Sequence, residues 1–424
     1  HLCIPYRRRS RPYRRSNDLR EVKNLVYSVM EKIFIDVTQS CRSSNNSGIQ
    51  VVTRNLFREI KAIHDVVPII WDNQLSKYAY LNKRELRNLT NPFPQNYKPK
   101  ARPNKQENPL HKELFYSFFR IKRCINFDRK EYKNDSLFFP EVFRDKRVKY
   151  LPKVLKTSLK KVALFHDANV LRNELTTPLA RSNNFKAYLQ VLAQCDSISF
   201  ISIESQNAFF KHTSKRKVSQ VTKVHYLPVE KPAFEKSFPV TQNPLIICVS
   251  TLGYNKNHIT FLKAAEQLWN EKLKFKIELI GQSDPSWTPK VLNLIKTLQK
   301  KNRPLRWLQH IDQKTLEIKY SHSLFTVYPS LYEGFGLPIL ESLIRGKPCI
   351  CGMNGALGEV SNGGGCFTVA NQKSIKQLAD AIRELLCNDS ILEKLIKETS
   401  LRKYENWKSY SRKLISFFQQ SIES

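Results

Sequence analysis

What constrains this chain most is an alternation of short apolar runs with longer amphipathic stretches, laid down in two series. In the first, Ile33–Val37 reads as a buried strand, Ser43–Gly48 as a polar loop, Ile49 to about Ile63 as a helix and Val66–Ile70 as a second strand. Strand, glycine-containing loop, helix and strand in that order begin a parallel α/β sheet. The pattern resumes with a strand at Lys161–Asp167, a helix around Phe185–Gln194 and a strand at Ser197–Ile203. A second series opens with the strand Leu245–Ser250, the helix Ile259–Trp269, the strand Lys276–Ile280 and a helix near Pro289–Lys300. It continues through strands at Leu305–Leu308 and Leu324–Tyr328 with a short helix, Thr315–Ser321, between them. Helix Pro338–Arg345, strand Pro348–Cys351 and helices at Ser374–Leu386 and Ile391–Tyr410 close the chain. Two successive doubly wound α/β units predict a ligand cleft between them, at the carboxyl ends of the strands.

Two stretches interrupt this rhythm. Residues 91–150 carry Pro92, Pro94, Pro99 and Pro103, many Lys and Arg, and an aromatic cluster at Phe115, Tyr116, Phe118 and Phe119, and read as a long surface insertion. Asn207 to Val240 is polar and basic with Pro228, Pro232 and Pro239, and is the candidate interdomain linker. Residues 1–30, with Arg7–Arg9 and Arg14-Arg15 among Pro and Tyr, read as a basic arm or as the tail of a region upstream of His1. A length of 424 residues suits two domains, and a 41% hydrophobic composition excludes a disordered chain or a small disulfide scaffold. The nine cysteines are scattered, with no pair of Cys-x-x-Cys units, and read as reduced thiols of a cytosolic protein rather than as a zinc site. No apolar run approaches the ~18–20 residues that cross a bilayer, so any membrane contact is expected to be peripheral.

The most informative stretch is Tyr328–Glu341. A strand ends at Tyr328, a loop carries Glu333, Gly334 and Gly336, and Pro338 stands where a first helical turn begins. Glycines let backbone approach a ligand closely, and amides at a helix start attract an anion such as a diphosphate. Two carboxylates, Glu333 and Glu341, beside a phosphate would repel it unless hydroxyl donors engaged them, which favours a nucleotide sugar over a bare polyphosphate. The plainer reading is a glycine-rich turn with one surface Glu and one Glu near a helix start. Gly352, Gly355, Gly358 and Gly363–Gly365 read as turns, since none has the Lys-Ser/Thr ending of a phosphate loop.

Spelled EGFGLPILE from Glu333 to Glu341, this stretch resembles the donor-site motif of the retaining GT-B glycosyltransferases of the family-four type, the glycosyl transferases group one. Val249–His258 resembles the VGTLEPRKNH loop of that family, and Gly346–Ile350 and Gly355–Val360 resemble its GKPVI and GALPEV segments. Trp407 and Tyr410 match its aromatic ending, where the chain crosses back onto the N-terminal domain. In the first half, Ile33–Val37 with Ser47–Gln50 resembles its opening strand and glycine loop, and Phe165–Asp167 its HD turn.

The resemblance implies a GT-B fold of two Rossmann-like domains with a cleft between them. It divides the chain into a basic arm at 1–30, an acceptor-side domain at 31–228, a linker at 229–242, a nucleotide-sugar-binding domain at 243–402 and a returning helix at 403–424. It further implies Glu333 on the sugar hydroxyls, with Gly334, Phe335, Gly336 and Leu337 presenting backbone to sugar and phosphate, and Glu341 on the ribose. Lys256 would sit on the diphosphate with Ser250 in the same loop, Gly48 would be a close-approach turn, and His166 would touch the transferred sugar. Read without the resemblance, Lys256 is more simply a solvated loop lysine and His166 a satisfied strand-end histidine. Two departures stand out: Ser250 replaces the family's glycine, and Asn255 replaces the Arg before the Lys, so a second cation is missing from that loop.

The implied chemistry is metal-independent, retaining hexosyl transfer from a nucleoside diphosphate sugar, with GDP-mannose the preferred donor, to a glycan, lipid-linked or polysaccharide acceptor. Lys and Arg exceed Asp and Glu by 71 to 37 in the whole chain; residues 1–240 hold 46 against 21, a net of +25, and residues 241–424 hold 25 against 16, a net of +9. The excess therefore sits mainly on the acceptor-side half, which points to an anionic membrane face, with a cytoplasmic and peripheral location, or to an anionic acceptor. The alternative from another class is a catalytically weak GT-B scaffold that binds nucleic acid or another polyanion; the Glu333 and Glu341 pair, which that role does not need, speaks against it.

Overall fold

The computed structural model describes residues 32–42, 48–91, 121–127, 132–145, 147–172, 179–213, 216–232, 243–283, 288–309 and 311–420. Two sheets organise them. The first contains β1 (Ile33–Asp36), β2 (Val66–Asp72), β3 (Lys77–Tyr80), β4 (Ser136–Phe139), β5 (Lys160–Phe165), β6 (Ser197–Phe200) and β7 (Val221–Val224). Its order is β3-β2-β1-β4-β5-β6-β7, and every pair is parallel except β2 with β3. Its helices are α1 (Thr38–Arg42), α2 (Gly48–Lys61), α3 (Lys83–Thr90), α4 (Arg147–Val154), α5 (Asn169–Arg172), α6 (Leu179–Leu192) and α7 (Ile203–His212).

The second sheet contains β8 (Leu245–Val249), β9 (Lys276–Ile280), β10 (Leu305–Leu308), β11 (Ser323–Tyr328), β12 (Cys349–Gly352) and β13 (Cys366–Val369). All its pairs are parallel, in the doubly wound order β10-β9-β8-β11-β12-β13. Its helices are α8 (His258–Asn270), α9 (Thr288–Lys300), α10 (Gln313–His322), α11 (Leu337–Leu343), α12 (Gly355–Ser361), α13 (Ile375–Cys387) and α14 (Asp389–Leu401). A last helix, α15 (Trp407–Gln420), leaves this sheet and packs on α2 of the first. One apolar cluster accordingly runs from Ile33, Leu56 and Ile60 through Phe335 and Leu340 to Tyr410, Leu414 and Phe418.

Helices cover both faces of each sheet, so the central strands read as apolar runs rather than alternating ones. The structure corrects the insertion assigned to 91–150. Residues 92–120, with the aromatic cluster, lie outside the described residues, but β4 is the strand between β1 and β5, and all four of its residues are buried. One of the charges that made this stretch look like surface is engaged inside. Arg147 is fully buried and donates to Asp36 Oδ2 at 2.6 Å and, through Nε, to Asp145 Oδ1 at 2.9 Å, while Tyr78 donates to Asp36 Oδ2 at 2.8 Å. A buried carboxylate needs such donors, and supplying them draws α4 onto the end of β1.

The linker is also shorter than Asn207–Val240, because α7 extends to His212 and β7 forms the sheet edge; residues 233–242 lie outside the described residues, as do residues 1–31 with the basic arm. The closing Ile391–Tyr410 stretch is two helices, broken where Arg402 turns to extended backbone after α14. Gly355 and Gly358, read as turns, belong to α12; a Cβ on Gly358 would lie 2.3 Å from the Met353 carbonyl oxygen, so packing rather than turning requires the glycine. Among the described residues no helix is long and apolar enough to cross a membrane, and the eight described cysteines are free thiols.

Candidate functional site

At the carboxyl ends of β8 and β11 two loops are joined edge to edge. After β8 the chain makes one 3-10 turn, Tyr254–Lys256, and then Asn257 takes a left-handed conformation, with φ 56° and ψ 32°. Asparagine tolerates that region better than most residues, and its side chain holds the turn by donating to the Pro329 carbonyl at 3.2 Å and the Gln372 carbonyl at 2.7 Å. The loop after β11 answers with the Leu331 amide donating to the Asn255 carbonyl at 2.8 Å, and Ser330 Oγ stands 3.0 Å from the same oxygen.

This joint brings Lys256 to Glu333. Lys256 Nζ donates to Glu333 Oε1 at 2.5 Å and to the Tyr328 hydroxyl at 2.9 Å, and the Tyr328 hydroxyl donates to Glu333 Oε1 at 2.9 Å. Ser330 Oγ also donates to Oε1, and Asn255 Nδ2 reaches it at 3.5 Å. All four donors converge on one carboxylate oxygen, and Oε2 accepts no hydrogen bond among the described residues. Burial, and then the charge of Glu333, hold the Tyr328 hydroxyl well above its usual range, so it stays a donor. Tyr328 and Ser330 have no assigned role in the sequence reading; only their position at the end of a strand, beside the glutamate loop, could have marked them.

Gly336, at φ 125°, turns the chain into α11, with Pro338 in its first turn. Phe335 is buried and stacks on Tyr226 of the first half, its ring 6.1 Å away at 27°, while Leu337 packs at the edge of the shared apolar cluster. Glu341 is partly buried on α11. Burial pushes its carboxyl up, Arg345 lowers it and Glu317 raises it, and among the described residues its carboxylate accepts no hydrogen bond. Arg345 is committed elsewhere, to Glu317 at 2.6 Å. Ser250 Oγ meets His258 Nε2 at 3.1 Å, and the close crossing behind this loop falls to Gly281 at φ 141°, where a Cβ would lie 2.4 Å from the Ser250 carbonyl oxygen.

The first half reaches the same loop. His166, at the end of β5, is buried; its Nε2 donates to the Pro140 carbonyl at 2.7 Å, and burial lowers its pKa to about 4, so the ring is neutral. Its backbone, not its ring, abuts the glutamate loop: a Cβ on Gly334 would lie 2.7 Å from the His166 carbonyl oxygen. Ser202 Oγ donates to the Gly334 carbonyl at 2.6 Å. Glu359, on α12, caps the start of α7 across the cleft, accepting from the Ile203 and Glu204 amides at 2.8 Å each. Gly48 opens α2, and a Cβ there would meet nothing within 4 Å, so no contact inside the chain demands glycine at that position.

Residues 230–413 match the family of glycosyl transferases group 1. The group 1 segment thus includes both loops of the Lys256–Glu333 joint, and relatives of known activity match within the chain as well. The O-antigen chain mannosyltransferase B of Escherichia coli is 31% identical over 142 residues, 34% of this chain and 36% of that protein. The serotype-specific mannosyltransferase WbdA of Escherichia coli is 33% identical over 110 residues, 25% of this chain and 13% of that protein. The chain thus matches about a third or less of the length of these relatives. Among solved structures, HepE of Anabaena in complex with UDP and glucose superposes with a TM-score of 0.59 at 15% identity, covering 93% of this chain and 99% of that one. The sucrose-phosphate synthase of Thermosynechococcus elongatus gives a TM-score of 0.64 at 14% identity, with the same coverage. The fold of the chain is therefore that of the GT-B glycosyltransferases.

Proposed function

We propose that this chain is a retaining glycosyltransferase that moves a hexose from a nucleoside diphosphate sugar to a hydroxyl of a glycan, a lipid-linked sugar or a polysaccharide. The observation that carries this reading is the Lys256–Glu333 joint at the strand ends of a group 1 domain, facing a second domain across a cleft. Of the three protons on Lys256, two are engaged by Glu333 and Tyr328, which leaves one for an oxygen of the diphosphate. There it offsets the charge that grows as the nucleoside diphosphate departs from an oxocarbenium-like sugar. Glu333 Oε2 is free to accept from sugar hydroxyls, and the carboxylate of Glu341 to accept from the ribose. The backbone of Gly334 and Gly336 gives close approach to the sugar and phosphate. In this reading cation and backbone dipoles take the part a metal ion would otherwise play.

GDP-mannose is the preferred donor, supported by the mannosyltransferase relatives, while the UDP and glucose bound to HepE keep a UDP-sugar open. The excess of positive charge on the first half supports an anionic membrane face or acceptor as its partner. A thermal-shift panel of UDP-, GDP-, ADP- and dTDP-sugars identifies the donor by the one nucleotide that stabilises the protein. With that donor, Glu333→Ala is expected to abolish transfer while leaving the unfolding midpoint near that of the wild type. Undiminished turnover in the variant refutes the site.

A further inference from the structure

Glu341 and Arg345 stand four residues apart at the end of α11, the spacing at which a glutamate and a following cation pair across one helical turn. They do not pair. Arg345 Nη1 reaches only the Glu341 backbone carbonyl, at 2.6 Å. Its fork is turned instead to α10, where Nε donates to Glu317 Oε2 at 2.8 Å and Nη2 donates to Glu317 Oε1 at 2.6 Å. Gln313, one turn earlier on α10, donates to the same Oε1 at 2.8 Å, and the guanidinium lies 4.6 Å from the centre of the Tyr320 ring. Arg345 and Glu317 each keep only 10% of the side chain exposed, so this is an anchored bidentate pair rather than a solvated surface one.

The carboxylate left over is the one assigned to the ribose. Glu341 is partly buried, yet among the described residues its carboxylate accepts no hydrogen bond. Burial raises its carboxyl, the charge of Arg345 lowers it, and Glu317 raises it. A partly buried carboxylate without donors draws a cation within reach. A guanidinium released from Glu317 would have two freed donors one helical turn from Glu341 and would turn onto it. Guanidinium and ribose hydroxyls are both donors, so they compete for the same two carboxylate oxygens.

We propose that Glu317 is a positioning residue that holds the Arg345 fork away from Glu341 and so keeps that carboxylate open to the ribose of the donor. This rests on the donor reading above and adds the residue that guards its ribose contact. Loss of Glu317 then harms binding through a wrong contact inside the protein, and removing the cation as well cancels the harm.

The test is calorimetric titration of wild type, Glu317→Ala and the double variant Glu317→Ala/Arg345→Met, with an unfolding midpoint for each. The ligands are GDP, UDP and the two dideoxynucleoside diphosphates that lack the ribose hydroxyls. Wild type is expected to bind one ribonucleotide more tightly than its dideoxy counterpart. Glu317→Ala should lose roughly 10- to 100-fold in affinity for that ribonucleotide, the scale of hydrogen bonds to a charged acceptor, and bind the dideoxy form as wild type does. The double variant should recover most of the loss, because Glu341 is open again and one charge of each sign has gone. A merely structural pair predicts the reverse: both forms of the nucleotide weaken together, the midpoint falls with them, and the second substitution restores nothing. Unchanged ribonucleotide binding in Glu317→Ala overturns the guard and spares the donor reading. A loss that the double variant does not recover overturns it too. Wild type that binds ribonucleotide and dideoxy forms alike removes the ribose contact of Glu341 and the guard with it. Wild type that binds none of the four removes the guanine and uracil donors proposed above together with the guard.

Discussion

Gly334→Ala tests how closely the two domains must meet. The added Cβ would lie 2.7 Å from the His166 carbonyl oxygen, 2.8 Å from Asp167 Cβ and 3.0 Å from Asp167 Oδ2. Carbon and carbonyl oxygen normally stand about 3.3 Å apart or more, so the surfaces must separate by roughly 0.6 Å against backbone that cannot rotate away. Overpacking of this kind costs ~1–3 kcal/mol, which corresponds to about 5- to 150-fold in an equilibrium between apposed and parted domains. Relief can come by the domains parting, which lengthens the Ser202 bond to the Gly334 carbonyl, or by the loop withdrawing, which moves Glu333. Both routes lower kcat/KM for the nucleotide sugar that the binding panel selects, and neither lies within a single domain's core, so the unfolding midpoint should change little. Gly48→Ala is the matched comparison: its Cβ meets nothing within 4 Å, at the start of a helix where alanine is favoured, so stability should hold or rise. Turnover of Gly334→Ala within about two-fold of wild type would refute the reasoning, because the apposition would then be irrelevant to the chemistry.

Three further outcomes are expected. Glu359→Ala removes the acceptor shared by the Ile203 and Glu204 amides, a loss on the scale of a helix cap, ~1 kcal/mol; hydrogen exchange at those two amides should accelerate, and unaltered exchange would show that the cross-domain cap carries no weight. Burial lowers His166 and His225 to about 4 and His258 to about 3, so the unfolded chain takes up protons below pH 6.5 that the folded chain refuses. Their contribution is fully present above pH 6.5 and lost as pH falls toward 4, offset in part by Glu141, which burial raises to about 7; denaturant midpoints should drop from pH 6.5 to 5.5, and a flat profile contradicts neutral buried imidazoles. Finally, sedimentation with vesicles should show binding to anionic but not neutral lipid at low salt, and equal binding to both would remove the membrane reading of the basic first half.

The parts of the fold that were legible in the sequence are those built from uninterrupted apolar runs. Leu245–Val249, five apolar residues between Pro244 and Ser250, announces itself as a buried strand. Ser136–Phe139 does not, because four residues between Asp135 and Pro140 leave too short a period to read, and the surrounding charges are satisfied by partners far away in sequence. The same limit governed the site. Glu333 and Lys256 stood out through a motif, but that they form an ion pair follows from Asn257 and Tyr328, whose roles are geometric. His166 was noticed for its imidazole, whereas what meets Gly334 is its carbonyl oxygen, an atom every residue possesses and no sequence pattern distinguishes.

The return of α15 onto α2 means that the polypeptide passes between the two sheets twice, once after β7 and once after α14. A body held to another by one strand can swivel about it in any direction, but one held by two behaves like a door on paired hinges. Rotation about the line through both crossings remains easy, while twisting and sliding are resisted. A group carried on one leaf can then return to the same place against the other.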